Sequence, residues 1–292
     1  MEQNYVIFTD TDGDMTPNLA KEYGYHIISM PYTLEDKEVF PYADGKEIDF
    51  DAFYAKLRKG AKPFTSALSP KAYEDYFEPF FKDGKDILYV HLSKAMSGTF
   101  NAMNIAVNNL KSKYPDRKLY TIDTKGITLC ELNIALEIGE QYKAGKSVDE
   151  ILKWAETEVE KFATYFFVND LTFFRRSGRV KFLAAFMGNI FGIRPIITMD
   201  TNGVMTPVNK ARGLNGAIDK VLEYVDELKE DMENHRIILA HSDSIKTVEE
   251  IEKRLKEKYG NNLNIMIVDV NPTAGCHCGP DGVGICFHAK HR

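Results

Sequence analysis

The sequence of 292 residues contains no uninterrupted apolar run approaching the ~20 residues that a helix needs to cross a bilayer, so no membrane-spanning helix is expected. It also lacks a block of like charge. Its 37 Lys and Arg are interspersed among 43 Asp and Glu, leaving a formal net charge of −6. An acidic chain without a basic stripe is poorly suited to nucleic acid, and at most transient contact with an anionic membrane is expected. The opening Met1-Glu2-Gln3-Asn4 lacks the basic start of a secretory signal, which points to the cytoplasm. Cysteine is scarce, with Cys130, Cys276, Cys278 and Cys286 the only four, so no disulfide framework is expected and reduced thiols are the default. Cys276-His277-Cys278 lacks the paired C-x₂₋₄-C spacing that structural zinc prefers, so no metal site is assigned.

What remains is an ordinary globular composition, 44% hydrophobic and 27% charged. The length exceeds a usual single core, so two domains are the first expectation and one large α/β domain the second. In the first half, strand-like and helix-like runs alternate: Tyr5 to Thr9, Tyr25 to Pro31, Asp86 to His91 and Lys118 to Asp123 read as strands. Pro17 to Tyr23, Phe50 to Arg58, Lys71 to Lys82, Phe100 to Leu110 and Thr128 to Ala144 read as helices. That alternation implies a parallel sheet with crossover helices. Tyr32 to Asp49 reads as an excursion with a turn at Asp44-Gly45, and Val148 to Phe162 as an amphipathic helix whose Glu156, Glu158 and Glu160 form a solvated face.

The second half begins near Tyr165 to Val168, giving domains of 1–162 and 163–292. Phe182 to Phe191 is apolar nearly all round and needs cover from the core or from a long apolar ligand. Arg194 to Met199 and Val204 to Asn209 flank Asp200-Thr201-Asn202-Gly203, a strong hairpin signal. Helices are expected over Leu214 to Met232 and Ile245 to Tyr259, with strands over Arg236 to His241, Asn264 to Val270 and Ile285 to Phe287.

Leu92 to Phe100 joins a buried strand to a helix through small hydroxyl residues, placing Ser97-Gly98-Thr99 at the helix N-terminus. The first N–H groups there have no partner within the helix, and the peptide dipoles add partial positive charge, so a carboxylate or phosphate is favoured. The plain reading is that Ser97 or Thr99 caps the helix. Thr65 and Ser66 precede the Ser69-Pro70 cap and have no capping role of their own, so they suit the second half of a polar pocket facing Ser97. Arg212 is expected at a strand-to-helix corner where it can reach an anion. His277, in a glycine-rich stretch taken as a loop, has no obvious packing role. Asp10-Thr11-Asp12-Gly13 approximates the opening motif of haloacid-dehalogenase-like phosphatases, but no later acidic pair that could hold Mg²⁺ follows any strand.

Taken in order, these motifs resemble the DegV family, in particular its fatty-acid-binding members, the FakB subunits of bacterial fatty acid kinase. The resemblance runs through Thr9 to Met15, Thr65-Ser66, Ser93, Met96 to Phe100, Ile122 to Thr124 and Phe173 to Val180. It continues over Gly192 to Ile196, Gly203, Lys210 to Arg212 and His277 to Gly284. Departures are Ser177 and Asp281, where Gly and Gly are common, and Cys278, where Thr is common.

The resemblance implies an α/β protein of two domains, an N-terminal parallel sheet with crossover helices and a C-terminal mixed α/β domain, with a ligand tunnel between them. It implies a bound long-chain fatty acid, no other cofactor, no catalysis by this chain, and a dihydroxyacetone-kinase-like fatty acid kinase subunit as partner. The carboxylate is expected on Thr65 and Ser97, with Ser66, Gly98 and Thr99 beside them, Arg212 and His277 near the head group, and Arg179 as a further candidate. The alternative is a Mg-dependent phosphatase using Asp10 and Asp12. A chain of ~14 methylenes, at ~0.8 kcal/mol each, would gain on the order of 11 kcal/mol before association and ordering costs. The tail would supply affinity and the polar loops orientation.

Overall fold

The computed structural model describes residues 3–43, 45–169, 171–179 and 192–292. The apolar segment Phe182 to Phe191 lies outside them, as do Asp44, Asp170 and Val180.

Four parallel strands form the first sheet: β1 (Tyr5–Asp10), β2 (Tyr25–Ile28), β6 (Asp86–His91) and β7 (Leu119–Asp123), in the order β2-β1-β6-β7. Their C-terminal ends therefore share one edge, where open α/β sheets place ligands. The second sheet has six strands in the order β10-β9-β8-β13-β11-β12: β8 (Phe162–Phe167), β9 (Ile193–Met199), β10 (Met205–Arg212), β11 (Ile237–His241), β12 (Ile265–Asp269) and β13 (Val283–His288). Only β11 and β12 pair in parallel, so this sheet is mixed. A small antiparallel sheet, β4 (Lys37–Val39), β3 (Tyr32–Leu34) and β5 (Phe64–Thr65), completes the set.

Helix α5 (Leu129–Lys143) packs on β1 and β6 of the first sheet and on β8, β11 and β13 of the second. Leu132, Ile134, Ala135, Leu136 and Ile138 are all fully buried in the resulting core, together with Leu88 and Ile238. The opposite face of the first sheet is covered by α3 (Pro70–Lys82) and α4 (Thr99–Lys113), through Phe77, Phe81, Met103 and Leu110. The outer face of the second sheet is covered by α8 (Gly213–Leu228) and α9 (Ile245–Tyr259), through Ile218, Val221, Val248 and Ile251.

Local signals account for several boundaries. Thr16 accepts from the Leu19 amide at the start of α1 (Pro17–Tyr23), and Ser69 does the same for Ala72 at α3, each followed by Pro at the first helical position. Helix α2 (Phe50–Arg58) has the expected bounds, and a short helix, α7 (Thr172–Arg176), follows β8 and buries Phe174.

Other expectations are corrected. Strand β2 stops at Ile28, before Pro31, and the excursion after it contains the β3–β4 hairpin, whose turn is Glu35-Asp36 with φ of 52° and 62°. Helix α6 (Val148–Glu158) ends early, because Phe162 is fully buried as the first residue of β8. Glu158 and Glu160 on that segment are ion-paired with Lys161 and Lys125 rather than simply solvated. Helix α8 stops at Leu228 rather than Met232. The stretch around His277 is not a loop: Pro272–Cys278 forms α10, capped by Asn271, whose side chain accepts from the Ala274 amide.

Candidate functional site

One cavity, of about 170 Å³, opens at the C-terminal edge of the first sheet and runs against the second. Its walls are largely apolar, with Met30, Leu92, Leu129, Phe167, Phe174 and Met205 among them. Polar side chains interrupt them: Thr65, Ser66, Ser97, Thr99, Asp12, Arg179 and His277, with Thr128, Thr164, Ser242 and Thr273 also on the wall. Thr65, Ser66, Ser97, Gly98, Thr99, Arg179 and His277 thus meet at one cavity, whereas Arg212 does not line it. Arg212 stands exposed at the end of β10, at the N-cap of α8.

The loop from β6 to α4 supplies Ser97. Gly98 occupies the cap position of α4 and provides no side-chain cap. Ser97 Oγ accepts from the Thr99 amide at 3.3 Å, so its own O–H is free to donate elsewhere. Thr99 lines the cavity, but its hydroxyl already pairs with the Tyr73 hydroxyl at 2.9 Å. The capping reading and the pocket reading therefore both describe part of this turn: Ser97 makes a local bond and also faces the cavity.

Thr65, at the end of β5, pairs through Oγ1 with His277 Nε2 at 3.0 Å. Asn271 holds the helix carrying His277, since its backbone and side-chain N–H groups donate to Asp14 at 2.8 and 2.7 Å and its Nδ2 also donates to the Asp12 carbonyl. Burial and the nearby Arg179 push the His277 imidazole down to about 3, so it is neutral at ordinary pH. Arg179 is itself half-buried and donates to the Ser177 carbonyl at 2.7 Å, with Asp12 opposing the loss of basicity that burial causes.

The β6–α4 loop is also clamped from the second sheet. Ser93 Oγ donates to the Gly203 carbonyl at 2.7 Å, in the turn between β9 and β10. Gly203 has φ of 72°, and a Cβ there would lie 2.2 Å from Ser93 Oγ, so only glycine fits. Local sequence marks each residue, one in the stretch before α4 and one in the Asn-Gly turn, but carries no sign of their contact.

Asp10, the last residue of β1, and Asp12 and Asp14 just after it are buried. Asp10 accepts from the Asp12 amide at 3.0 Å and from the Tyr89 hydroxyl at 2.6 Å, and does not line the cavity. Asp12 does line it, which makes it a site residue that the phosphatase likeness flagged for another role. Cys276 is packed with Tyr32, Phe53 and Tyr54, whereas Cys286 belongs to the core around α5. Among the described residues, no group of three His, Cys, Asp or Glu side chains is arranged to hold a metal ion.

A family model described as "Uncharacterised protein, DegV family" matches residues 4–290. The chain belongs to the DegV family. A DegV domain-containing protein of Clostridium perfringens is 30% identical over 285 residues, which cover 98% of this chain and 97% of that protein. The structure of DegV from Bacillus subtilis, described as a fatty acid binding protein, superposes with a TM-score of 0.84 at 25% identity, covering 99% of this chain and all of that one. The B3 protein of the Streptococcus pneumoniae fatty acid kinase, loaded with linoleic acid, matches with a TM-score of 0.81 at 19% identity, covering 98% and 99% of the two chains. The fold of this chain, a parallel sheet beside a mixed one, thus matches those of solved structures over nearly their whole length.

Proposed function

We propose that this DegV protein carries one long-chain fatty acid and presents its carboxylate to an ATP-dependent, dihydroxyacetone-kinase-like kinase subunit for acyl-phosphate formation. The tail occupies the apolar cavity. The carboxylate is held at the polar end by the hydroxyls of Thr65 and Ser97, beside Ser66, Gly98 and the start of α4. The observation that carries this reading is a largely apolar cavity on which the hydroxyl residues Thr65 and Ser97, contributed by separate segments of the chain, meet. A buried carboxylate left unpaired costs several kcal/mol, and hydroxyl donors with a helix N-terminus offset that without a full salt bridge.

The fatty acid bound by the Bacillus subtilis relative supports the ligand class, and the kinase name of the Streptococcus pneumoniae relative supports the partner. Arg212 then serves the partner's surface rather than the acid, consistent with its exposure away from the cavity. The functional division is into residues 1–162, which bring the carboxylate loops, and 163–292, which bring acyl-chain cover, Arg212 and His277. The working location is the cytoplasm, where a kinase would find ATP.

The phosphatase alternative draws little support from the geometry. Asp10, its nucleophile, is fully buried with both carboxylate oxygens engaged. Organic extraction of the purified protein followed by mass spectrometry separates the two readings: the carrier releases about one fatty acid per chain. Mg²⁺-dependent phosphate release that disappears in Asp10→Asn, with no acid extracted, would instead establish the phosphatase.

A further inference from the structure

The fatty-acid reading leaves the acidic residue on the cavity wall, Asp12, without a role. Asp12 follows β1 in a tight 3-10 turn (Thr11–Gly13), and the residue is 8% exposed while lining the same cavity as Thr65, Ser97 and His277. Its Oδ1 is buried and has no hydrogen-bond partner among the described residues. Asp10 accepts from Tyr89 and from a backbone amide with its two oxygens, and Asp14 accepts from Asn271 with Oδ1. Asp14 Oδ2 and Glu131 Oε2 are likewise buried without a partner among the described residues, but of these carboxylates Asp12 is the one that lines this cavity. A nine-tenths buried carboxyl with an empty oxygen, at the wall of a ligand cavity, is a group that the folded chain alone does not satisfy.

We infer that Asp12 and the carboxyl group of a bound acid hold a single proton between them, so that Asp12 fixes the head group's orientation and selects an acid over a neutral lipid. The inference rests on the fatty-acid reading of this cavity. Two carboxyl groups brought together away from water cannot both ionise, whereas one proton shared between them forms a short, charge-assisted hydrogen bond. No covalent bond changes; one proton lies between two oxygens, and the pair keeps one negative charge.

The surroundings favour that arrangement. Asp10 and Asp14 on the same turn, and Glu131 from α5, are acidic and buried, and they oppose a second negative charge at Asp12. Burial is the larger cause, and it raises the Asp12 carboxyl well above the ordinary carboxylate range. Tyr73 from α3 and the Cys276 thiol from α10 also feel Asp12, and both are held in their neutral forms. Among the described residues Arg179 is the cation acting on Asp12, and it balances the single negative charge left on the proton-sharing pair. His277 is neutral, so it does not supply the proton.

The test uses the delipidated full-length protein and dodecanoate labelled with carbon-13 at its carboxyl, followed by difference infrared spectroscopy near pH 8. The expected result is a protonated-carboxyl band in the complex that is lost in Asp12→Asn, an isosteric change, while labelled dodecanoate still binds. The isotope shift tells whether the proton resides on Asp12 or on the ligand, and either position agrees with sharing. Asp12→Ser serves as a second variant, read in the same way. Only carboxylate bands in the wild-type complex, or a protonated band that survives in a folded Asp12 variant, would overturn the inference while leaving the carrier reading intact. Failure of wild-type protein to bind dodecanoate or any extracted acid would overturn both.

Discussion

Thr65 Oγ1 lies 3.0 Å from His277 Nε2, a contact between residues 212 positions apart that ties β5 to the last turn of α10. Because His277 is neutral, one ring nitrogen carries the hydrogen. If Thr65 donates its O–H to a carboxylate, it must accept from Nε2–H, which leaves Nδ1 as the bare nitrogen. Nδ1 is buried and without a partner among the described residues.

The expected tautomer is therefore Nε2–H. Nitrogen-15 NMR of labelled protein should show it unchanged between about pH 5 and 8, far above the value near 3 to which burial holds the ring. A ring that titrates near the ordinary histidine value would contradict this placement.

Removing both hydroxyls, in Thr65→Ala with Ser97→Ala, should weaken fatty-acid binding and leave the fold intact, since neither side chain belongs to the apolar core. A hydrogen bond to a charged group contributes about 1.5–3 kcal/mol, so each loss should cost roughly ten- to a hundredfold in affinity. Native mass spectrometry reads the occupancy. The double variant keeping the same acid at the same occupancy would show that the carboxylate is held elsewhere.

Gly203→Ala should destabilise the protein by about 1–3 kcal/mol from backbone strain alone, with the Ser93 clash added. Ser93→Ala should cost about 1 kcal/mol for its lost hydrogen bond. In combination, Ser93→Ala should lessen the cost of Gly203→Ala, because the offending oxygen is gone. Urea midpoints of the two single variants and the double variant test this; strict additivity would mean that the two residues do not touch.

The buried Asp14 sets a pH dependence. Burial raises its carboxyl to about 7 from an ordinary 3.8, despite the opposing hydrogen bonds from Asn271. Between those values the folded chain binds more protons than the unfolded one, so stability falls as pH rises. The contribution is full below about pH 4 and gone above about pH 7. Asp14→Asn keeps Oδ1 as acceptor for Asn271 and removes the titration. Its melting temperature should gain on the wild type steadily across that window and then run parallel to it; a constant offset would contradict the assignment.

Much of this architecture was legible because its signals are local. Thr16-Pro17 and Ser69-Pro70 announce helix starts, and Tyr5 to Thr9 and Asp86 to His91 carry the apolar content of buried strands. The hydroxyls at Thr65 and Ser97 stood out because the first had no helix to cap and the second opened one. Less legible was whatever depends on distant pairing. The Ser93–Gly203 clamp joins residues 110 positions apart, and nothing in either local pattern names the other. Helix α10 was hidden by its glycine and cysteines, although Asn271-Pro272 is a cap and first-turn pair of the same kind that marked α3. Asp12 stands in a phosphatase-like motif of the sequence; only its burial and the cavity wall show that it faces the same space as Thr65.

A crystal structure of the protein with its extracted fatty acid restored is the most direct measurement. The carboxylate should lie within hydrogen-bond distance of both Thr65 Oγ1 and Ser97 Oγ, with the chain running inward past Leu129 and Phe167. Density for the acid with its head group away from those two hydroxyls, or a cavity that stays empty in saturating acid, would contradict the carrier proposed here.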